Sequence, residues 1–431
     1  MASNPTPVPT ALEAVGLGDV TAISRAAGER AELAEVRRRA RALLAGTVLP
    51  HRALHLWRYT DPSAFVPLTD PAAMTPAPVT GEWRLDEDLA GSALLAGGAL
   101  RRVELSEEAR GAGVEFIDLH AAGAADAARL GEAVPASHGF VEAVNLAAWR
   151  GGVVLRVPPR VHLKKALRIR IVGPSAGAVS LPRVLVLAGE ESSFQVIEGH
   201  GAGDAQRAQV LGVSEILVGA GADVRYDLVQ RWEPGVIGHH TAYARLGAGA
   251  RFTMATAQFG GDTVKTDVGA ILDGEGANSE IYGVAMGGER QRIDQHTEHL
   301  HLASHTQSNL DVKVALTDAA RSAYTGVIRI AEDARECEAY QENRNLLLSG
   351  DARAESIPEL EILNQDVRCT HGATVAPLDE EQLFYLSSRG LARSQAMRLI
   401  VYGFLDQTLQ RLPESTRSRI QAMVAARLHA D

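Results

Sequence analysis

From Gly151 onward the apolar residues of this chain come in short β-rich runs, among them VVLRV, LRIRIV, RVLVLA, FQVIE, EILVGA and IYGVAM. Gly, Asp and Pro turns separate these runs, rather than stretches with helical spacing. A phrase recurs between them: an apolar residue, a tight polar or Gly turn, then Ala or Ser ahead of the next strand. It is found in LAGEESSFQVI, VGAGADVRYDL, LGAGARFTMAT, LDGEGANSEIYG, LTDAARSAYTG and IAEDARECEAY. These phrases begin at Leu187, Val218, Leu246, Leu272, Leu316 and Ile330, so successive steps are 31, 28, 26, 44 and 14 residues, a loose repeat. Each such coil leaves an apolar face unburied. Stacking coil on coil covers that face and pairs each strand edge with a neighbour, which predicts a parallel β-helix. A closed barrel or sandwich would produce similar strands, so the periodicity favours the solenoid without excluding them.

The flanks follow a longer period. Residues 1–10 hold three prolines and read as a mobile arm, and from Ala11 to Leu49 the apolar residues recur at helical spacing, enough for two helices, the second stopped by Gly46. Pro62, Pro67, Pro71, Pro76 and Pro78 make the 61–80 stretch an extended connector, and Ala-rich helical segments follow near 121–150. After Pro377 the pattern returns to helix in DEEQLFYLSSRG, SQAMRLIVYGFLDQTLQRL and STRSRIQAMVAARLHA, with Ser394 and Ser415 placed as N-caps. Three regions are therefore expected: a mixed helical region over 1–150, a β-helix core over 151–376 and a helical region over 377–431.

Composition narrows the class. With 431 residues, 46% apolar and 22% charged, the chain can bury a sizeable core and is not a disordered tail. Its apolar runs are broken well short of a membrane span, and the first residues lack the basic start and apolar run of a secretory signal. A cytoplasmic location is expected. A net charge of −10 and the lack of any concentrated basic patch argue against nucleic acid as a partner. Two cysteines, Cys337 and Cys369, cannot build a disulfide framework.

Several catalytic signatures are missing. No GxxxxGK[ST] loop is present to hold ATP phosphates, the GAGA and GEGA segments at 219–222, 247–250 and 274–277 read as turns, and Ile216 replaces the second Gly of a nucleophile elbow around Ser214. Four histidines lie in DQHTEHLHLASHTQ, and His299 with His301 would share one strand face in a metal-chelating geometry. No carboxylate or thiol at fixed spacing completes that shell, and a solvated strand face would look the same. In VRCTHGATV, Cys369 and His371 are also two apart, a thiol and an imidazole able to share one iron or zinc, or alternatively a buried Cys beside a hydrogen-bonded His. Two ligands leave the site incomplete, so another chain or an inorganic ligand such as sulfide would have to finish it.

The stretch from Gly326 to Phe404 resembles the SufB/SufD family of iron–sulfur cluster assembly proteins. The resemblance rests on NLLLS, PELEI, DVRCTHGATV and FYLSSRG followed by a helix ending in Gly403 and Phe404, with WRYT at 57–60 similar to the family's amino-terminal signature. Within the family the chain looks like the SufD branch. Arg344 stands where the SufB branch usually carries a cysteine, and Cys369, His371 and Gly372 match the SufD pattern.

The resemblance implies a right-handed parallel β-helix with α-helical amino- and carboxy-terminal regions, acting as a non-enzymatic subunit. It implies pairing with SufB at an edge where His371, and Cys369 as a second ligand or thiol relay, would serve a nascent iron–sulfur cluster. It also implies contact with the SufC ATPase through the carboxy-terminal helices, which include Ser388, Arg389 and Gly390. ATP would act only through SufC. The resemblance leaves open whether the chain alone holds a cluster, whether it pairs with itself when SufB is absent, and whether the complex binds a flavin. Cys337 falls outside the motif and is expected to be structural. The alternative reading, a β-helix carbohydrate-active enzyme, is disfavoured by an aromatic content of 5%.

Overall fold

The computed structural model describes residues 9–69, 87–96, 99–173, 178–201 and 208–430. Most of the proline-rich connector and the first eight residues lie outside the described set. The chain is mainly β, with 46% strand, and its centre is a β-solenoid of about 7 turns with helices at both ends.

Two ten-stranded sheets form the solenoid walls. The first runs from the antiparallel pair Ala99–Leu105 and Leu89–Ala96 through Ala166–Val172, Ser193–Gly201, Asp223–Trp232, Arg251–Gly260, Asn278–Gly287, Gln307–Leu316 and Cys337–Leu347 to Val367–Pro377. The second runs from Glu115–Asp118 through Gly151–Val157, Pro182–Ala188, Ala208–Val218, Val236–Leu246, Thr263–Leu272, Arg292–His301 and Arg321–Ile330 to Arg353–Ile362, with the short strand Val179–Ser180 paired to Ala208–Val218 off this path. After the antiparallel pairs that begin each sheet, neighbours along both paths are parallel. Among the described residues the first strand is thus Leu89–Ala96, which pairs in parallel with Ala166–Val172.

The corners explain the repeated phrase. At one corner Ser192, Ala222, Ala250 and Ala277 each donate a backbone N–H three residues back, to Gly189, Gly219, Gly247 and Gly274. Each of these small residues is at most 1% exposed, because it stacks between the coils above and below. The preceding residue is in the left-handed region, with φ of 56°, 66°, 61° and 71° at Glu191, Gly221, Gly249 and Gly276. The first Gly of the turn is required by packing. A Cβ on Gly274 would lie 2.0 Å from the Ala248 backbone nitrogen of the coil before it.

Helices cover both outer walls. Ala11–Val15, Val20–Ala27, Ala31–Ala45 and Phe140–Ala148 lie on the second sheet, their apolar faces merging with Val154, Leu185, Leu211, Val213 and Tyr243. Three helices occupy the span expected to hold two, because Gly16 and Gly28 take φ of 64° and end the first two. Arg393–Leu409 and Glu414–Ala430 lie on the first sheet, where Val401, Leu405, Leu409, Ile420 and Val424 pack against Ala257, Phe259, Tyr282, Val284 and Met286. The N-caps differ from expectation. Ala392 caps the first of these helices, held by Gln395 reaching back to its N–H at 3.0 Å, and Ser415 lies inside the second. Strands covered on both faces read as nearly unbroken apolar runs, and every residue of Ala208–Val218 is buried.

Candidate functional site

Stacking carries one interior row the length of the solenoid: Leu167, Val196, Tyr226, Met254, Ile281, Leu310, Gln341 and His371, each in register with the next. The row is apolar or aromatic until its last two members. A parallel row runs through Ser308 and Ala339 to Cys369. The strand Val367–Pro377 that ends both rows is hydrogen-bonded on one side only, to Cys337–Leu347. Gln341 is 1% exposed, whereas His371 above it is exposed and Cys369 is half-buried. Both amide atoms of Gln341 lack a partner, an unusual state for a buried polar group. Thus Cys369 and His371 share the inward face, as their spacing predicted, but at the open end of the core.

The two thiols differ. Cys337 is fully buried, its Sγ 3.2 Å from the Thr306 hydroxyl. Burial raises the pKa of Cys369 and the nearby Cys337 adds to the effect, against a backbone hydrogen bond at Ala339, so Cys369 is a protonated thiol in the isolated chain. Arg344 points outward and pairs with Glu342 at 2.6 Å. It lines a groove with Thr374, Pro377, Leu399 and Gly403, between the sheet end and the Arg393–Leu409 helix. Gly403 has open space where a Cβ would stand, and the Phe404 ring centre lies 5.4 Å from the Lys313 ammonium.

Next to the groove is the FYLSSRG helix, Glu380–Ser388. Ser388 donates to the Tyr385 carbonyl at 2.7 Å, the Arg389 guanidinium sits 5.3 Å from the Tyr385 ring centre, and Gly390 turns the chain with φ of 92°. Phe384 and Tyr385 are 76% and 57% exposed, although only Leu383 of this helix is buried. Gly372 sits on the edge strand beside His371, half-buried.

His299 and His301 are corrected in their setting. Their strand face is no solvated surface; both rings are 0% exposed inside the solenoid. His299 Nε2 meets the Ser279 hydroxyl at 3.0 Å, and both His301 nitrogens meet hydroxyls, of Thr306 at 2.7 Å and Ser308 at 2.9 Å. Burial lowers their pKa values to about 3 and about 4, leaving neutral rings, and the Nδ1 of His299 has no partner. Among the described residues the one converging His/Glu cluster is elsewhere, at Glu198, His200 and His240. Spacing could not reveal it, because His240 comes from the opposite sheet; the alternation of Glu198 and His200 on one strand was the available signal.

The WRYT segment is an anchor. Trp57 packs on Phe65, Phe140 and His239, and Thr60 bonds Asp294, which also holds Lys265 at 3.1 Å. This ties the amino-terminal layer to the second sheet.

The solenoid thus ends in a strand that carries an exposed His371 and a half-buried Cys369, and helices cover both of its walls. The family model for the SUF system FeS cluster assembly SufBD core domain matches residues 171–404, and the chain belongs to that family. It is 28% identical over 281 residues to an iron–sulfur cluster assembly SufBD family protein of Staphylococcus saprophyticus and to the iron–sulfur cluster assembly protein SufB of Bacillus subtilis, covering 65% of this chain and 60% of each relative. It is 32% identical over 261 residues to a SufBD family protein of Mycobacterium leprae, covering 60% of this chain and 30% of that one. The chain thus spans well under the full length of these relatives. The carbohydrate-active reading receives no support from them. No helix among the described residues is long and apolar enough to cross a membrane.

Proposed function

We propose that this chain is a SufD-type subunit of a SUF scaffold, which pairs with a SufB-type chain through the open end of the solenoid and offers His371, with Cys369, to a nascent iron–sulfur cluster. The observation that carries this is the last strand, Val367–Pro377: one edge unpaired, His371 exposed on it, and the orphaned Gln341 amide beneath. At the opposite end Leu100, Leu105 and Phe116 of the antiparallel terminal strands pack against the core, whereas His371 is exposed, which favours the carboxy-terminal end as the one that accepts a neighbour. Imidazole suits an assembly site, since it binds iron less firmly than a thiolate and can release it. Cys369 becomes a ligand only when a metal displaces its proton.

The exposed Phe384 and Tyr385, with Leu399 at 53%, form an apolar patch suited to an ATPase subunit of the SufC class. That partner would bring the ATP chemistry. Self-pairing through the same edge is the state expected when no SufB-type chain is present.

The test is co-expression with the SufB and SufC chains of the same organism. His371→Ala should leave the complex assembled and sharply lower cluster yield in reconstitution; an undiminished yield would overturn the assignment. Phe384→Ser with Tyr385→Ser should weaken SufC retention alone. These point changes are preferable to deleting the terminal helices, which would uncover the apolar outer wall of the first sheet.

A further inference from the structure

We propose that Glu198, His200 and His240 form a binding site for a single divalent transition-metal ion of the iron or zinc class, inside the solenoid and separate from the edge that carries His371. Glu198 and His200 project inward from Ser193–Gly201, and His240 projects inward from Val236–Leu246 in the facing sheet. One ligand atom from each lies within 4.8 Å of the other two. Glu198 Oε1 is 2.6 Å from His200 Nε2 and 3.4 Å from His240 Nε2. Tetrahedral bonds of about 2.0–2.1 Å hold ligand atoms roughly 3.3 Å apart, so the His240 spacing already fits and His200 must retreat by about 0.7 Å.

The surroundings are those of a built site. The three residues are 0%, 3% and 3% exposed, and the other carboxylate oxygen of Glu198 is held by the Ser214 hydroxyl at 2.7 Å and by the Tyr226 hydroxyl. Such outer contacts fix the orientation of a ligating carboxylate. Gly212 makes room for His240, because a Cβ there would lie 2.4 Å from its Nδ1. Each Nε2 faces Glu198, and that of His240 also meets the Ser214 hydroxyl at 3.2 Å, while the Nδ1 atoms of both rings have no partner. A cavity of about 10 Å3, bordered by the two rings, Thr256, Gln258 and Gln230, has room for one water-sized ligand in a fourth position. Gln230 is 6% exposed, its Oε1 is also unpartnered, and it could accept a hydrogen bond from such a water. One carboxylate with two imidazoles is a borderline donor set, suited to iron(II), cobalt(II) or zinc(II) rather than calcium or copper(I).

The experiment uses the full chain with His371→Ala and Cys369→Ser, which removes the edge pair as a competing site. After chelator treatment it is titrated anaerobically with cobalt(II), both folded and during refolding. One equivalent should bind with visible d–d absorption of low-coordinate cobalt, and the signal should vanish in His240→Gln and Glu198→Gln variants whose circular dichroism is unchanged. Should those variants fail to fold, anomalous diffraction from cobalt-soaked crystals of the parent chain decides. A peak between the three side chains supports the site. A cobalt signal that survives both substitutions, absence of binding in both titrations, or no peak at saturating cobalt overturns it.

Discussion

The Arg183–Glu215 pair shows how the solenoid holds its amino-terminal helical layer. Both side chains are fully buried. Glu215 also accepts backbone N–H groups from Gly131 at 2.9 Å and from Ala133 and Val134 at 3.1 Å, while Arg183 donates to Asn145 at 2.9 Å. Glu215→Gln keeps the shape but strands the guanidinium charge and sets an amide NH2 against donors on both sides. Leaving a buried charge without its partner costs about 3–5 kcal/mol. With an unfolding entropy near 2.1 cal/mol/K per residue, 431 residues give about 0.9 kcal/mol/K, so a chain melting as one unit should lose about 3–6 °C. Arg183→Met in the same chain removes the stranded charge and one of the clashing donors. The double variant should therefore be at least 2 kcal/mol more stable than the two single losses summed, a coupling far above the ~0.5 kcal/mol scatter of independent sites. Urea unfolding followed by circular dichroism measures the cycle. Losses under 1 kcal/mol for Glu215→Gln, or additive losses, would refute the reasoning.

Three further outcomes follow from the same contacts. Burial opposes the charge on His138, but Asp267, bonded at 2.8 Å, outweighs it with help from Glu142 and Glu298 and holds the pKa up to about 9. Since that lies above the unfolded value of about 6.5, the pair's stabilisation is complete below pH ~6.5 and lost as pH rises through 9; urea midpoints should fall across that window, and this fall should flatten in His138→Gln. Leu405→Ala removes a fully buried contact between the terminal helices and the first sheet at a cost of about 2–5 kcal/mol, and should open residues 379–430 to limited proteolysis while strand circular dichroism persists. Gly274→Ala forces a Cβ into the Ala248 backbone and should cost about 1–3 kcal/mol, seen as a lower urea midpoint.

The solenoid was legible because its corners have a chemical requirement. A small residue must stack at the end of each turn, as Ala222, Ala250 and Ala277 do, and the glycine before the turn must clear the previous coil. The irregular 44- and 14-residue steps arise because the phrase at Leu316 is a turn at the opposite corner, between Gln307–Leu316 and Arg321–Ile330. The coil that would have restored the period turns at Ala303–Thr306, where His305 takes φ of 59° and Thr306 stands in the slot that Ser192, Ala222, Ala250 and Ala277 fill at the coils before it. Alternation alone placed Cys369 and His371 on one face. It could not say that this face was an open core end, nor that the face of His299 and His301 was closed, because burial depends on how many coils follow. The Glu198–His200–His240 cluster was hidden because His240 joins the Glu198–His200 pair only across the lumen.

Hydrogen exchange along Val367–Pro377 tests the central claim most directly, read in the isolated chain and after adding the SufB-type partner. The open-end account predicts that edge amides of this strand and of Arg353–Ile362 exchange quickly alone and become protected in the complex, with no comparable change at Ala99–Leu105, the edge strand at the other end. A complex that forms while exchange at Val367–Pro377 stays fast would contradict it.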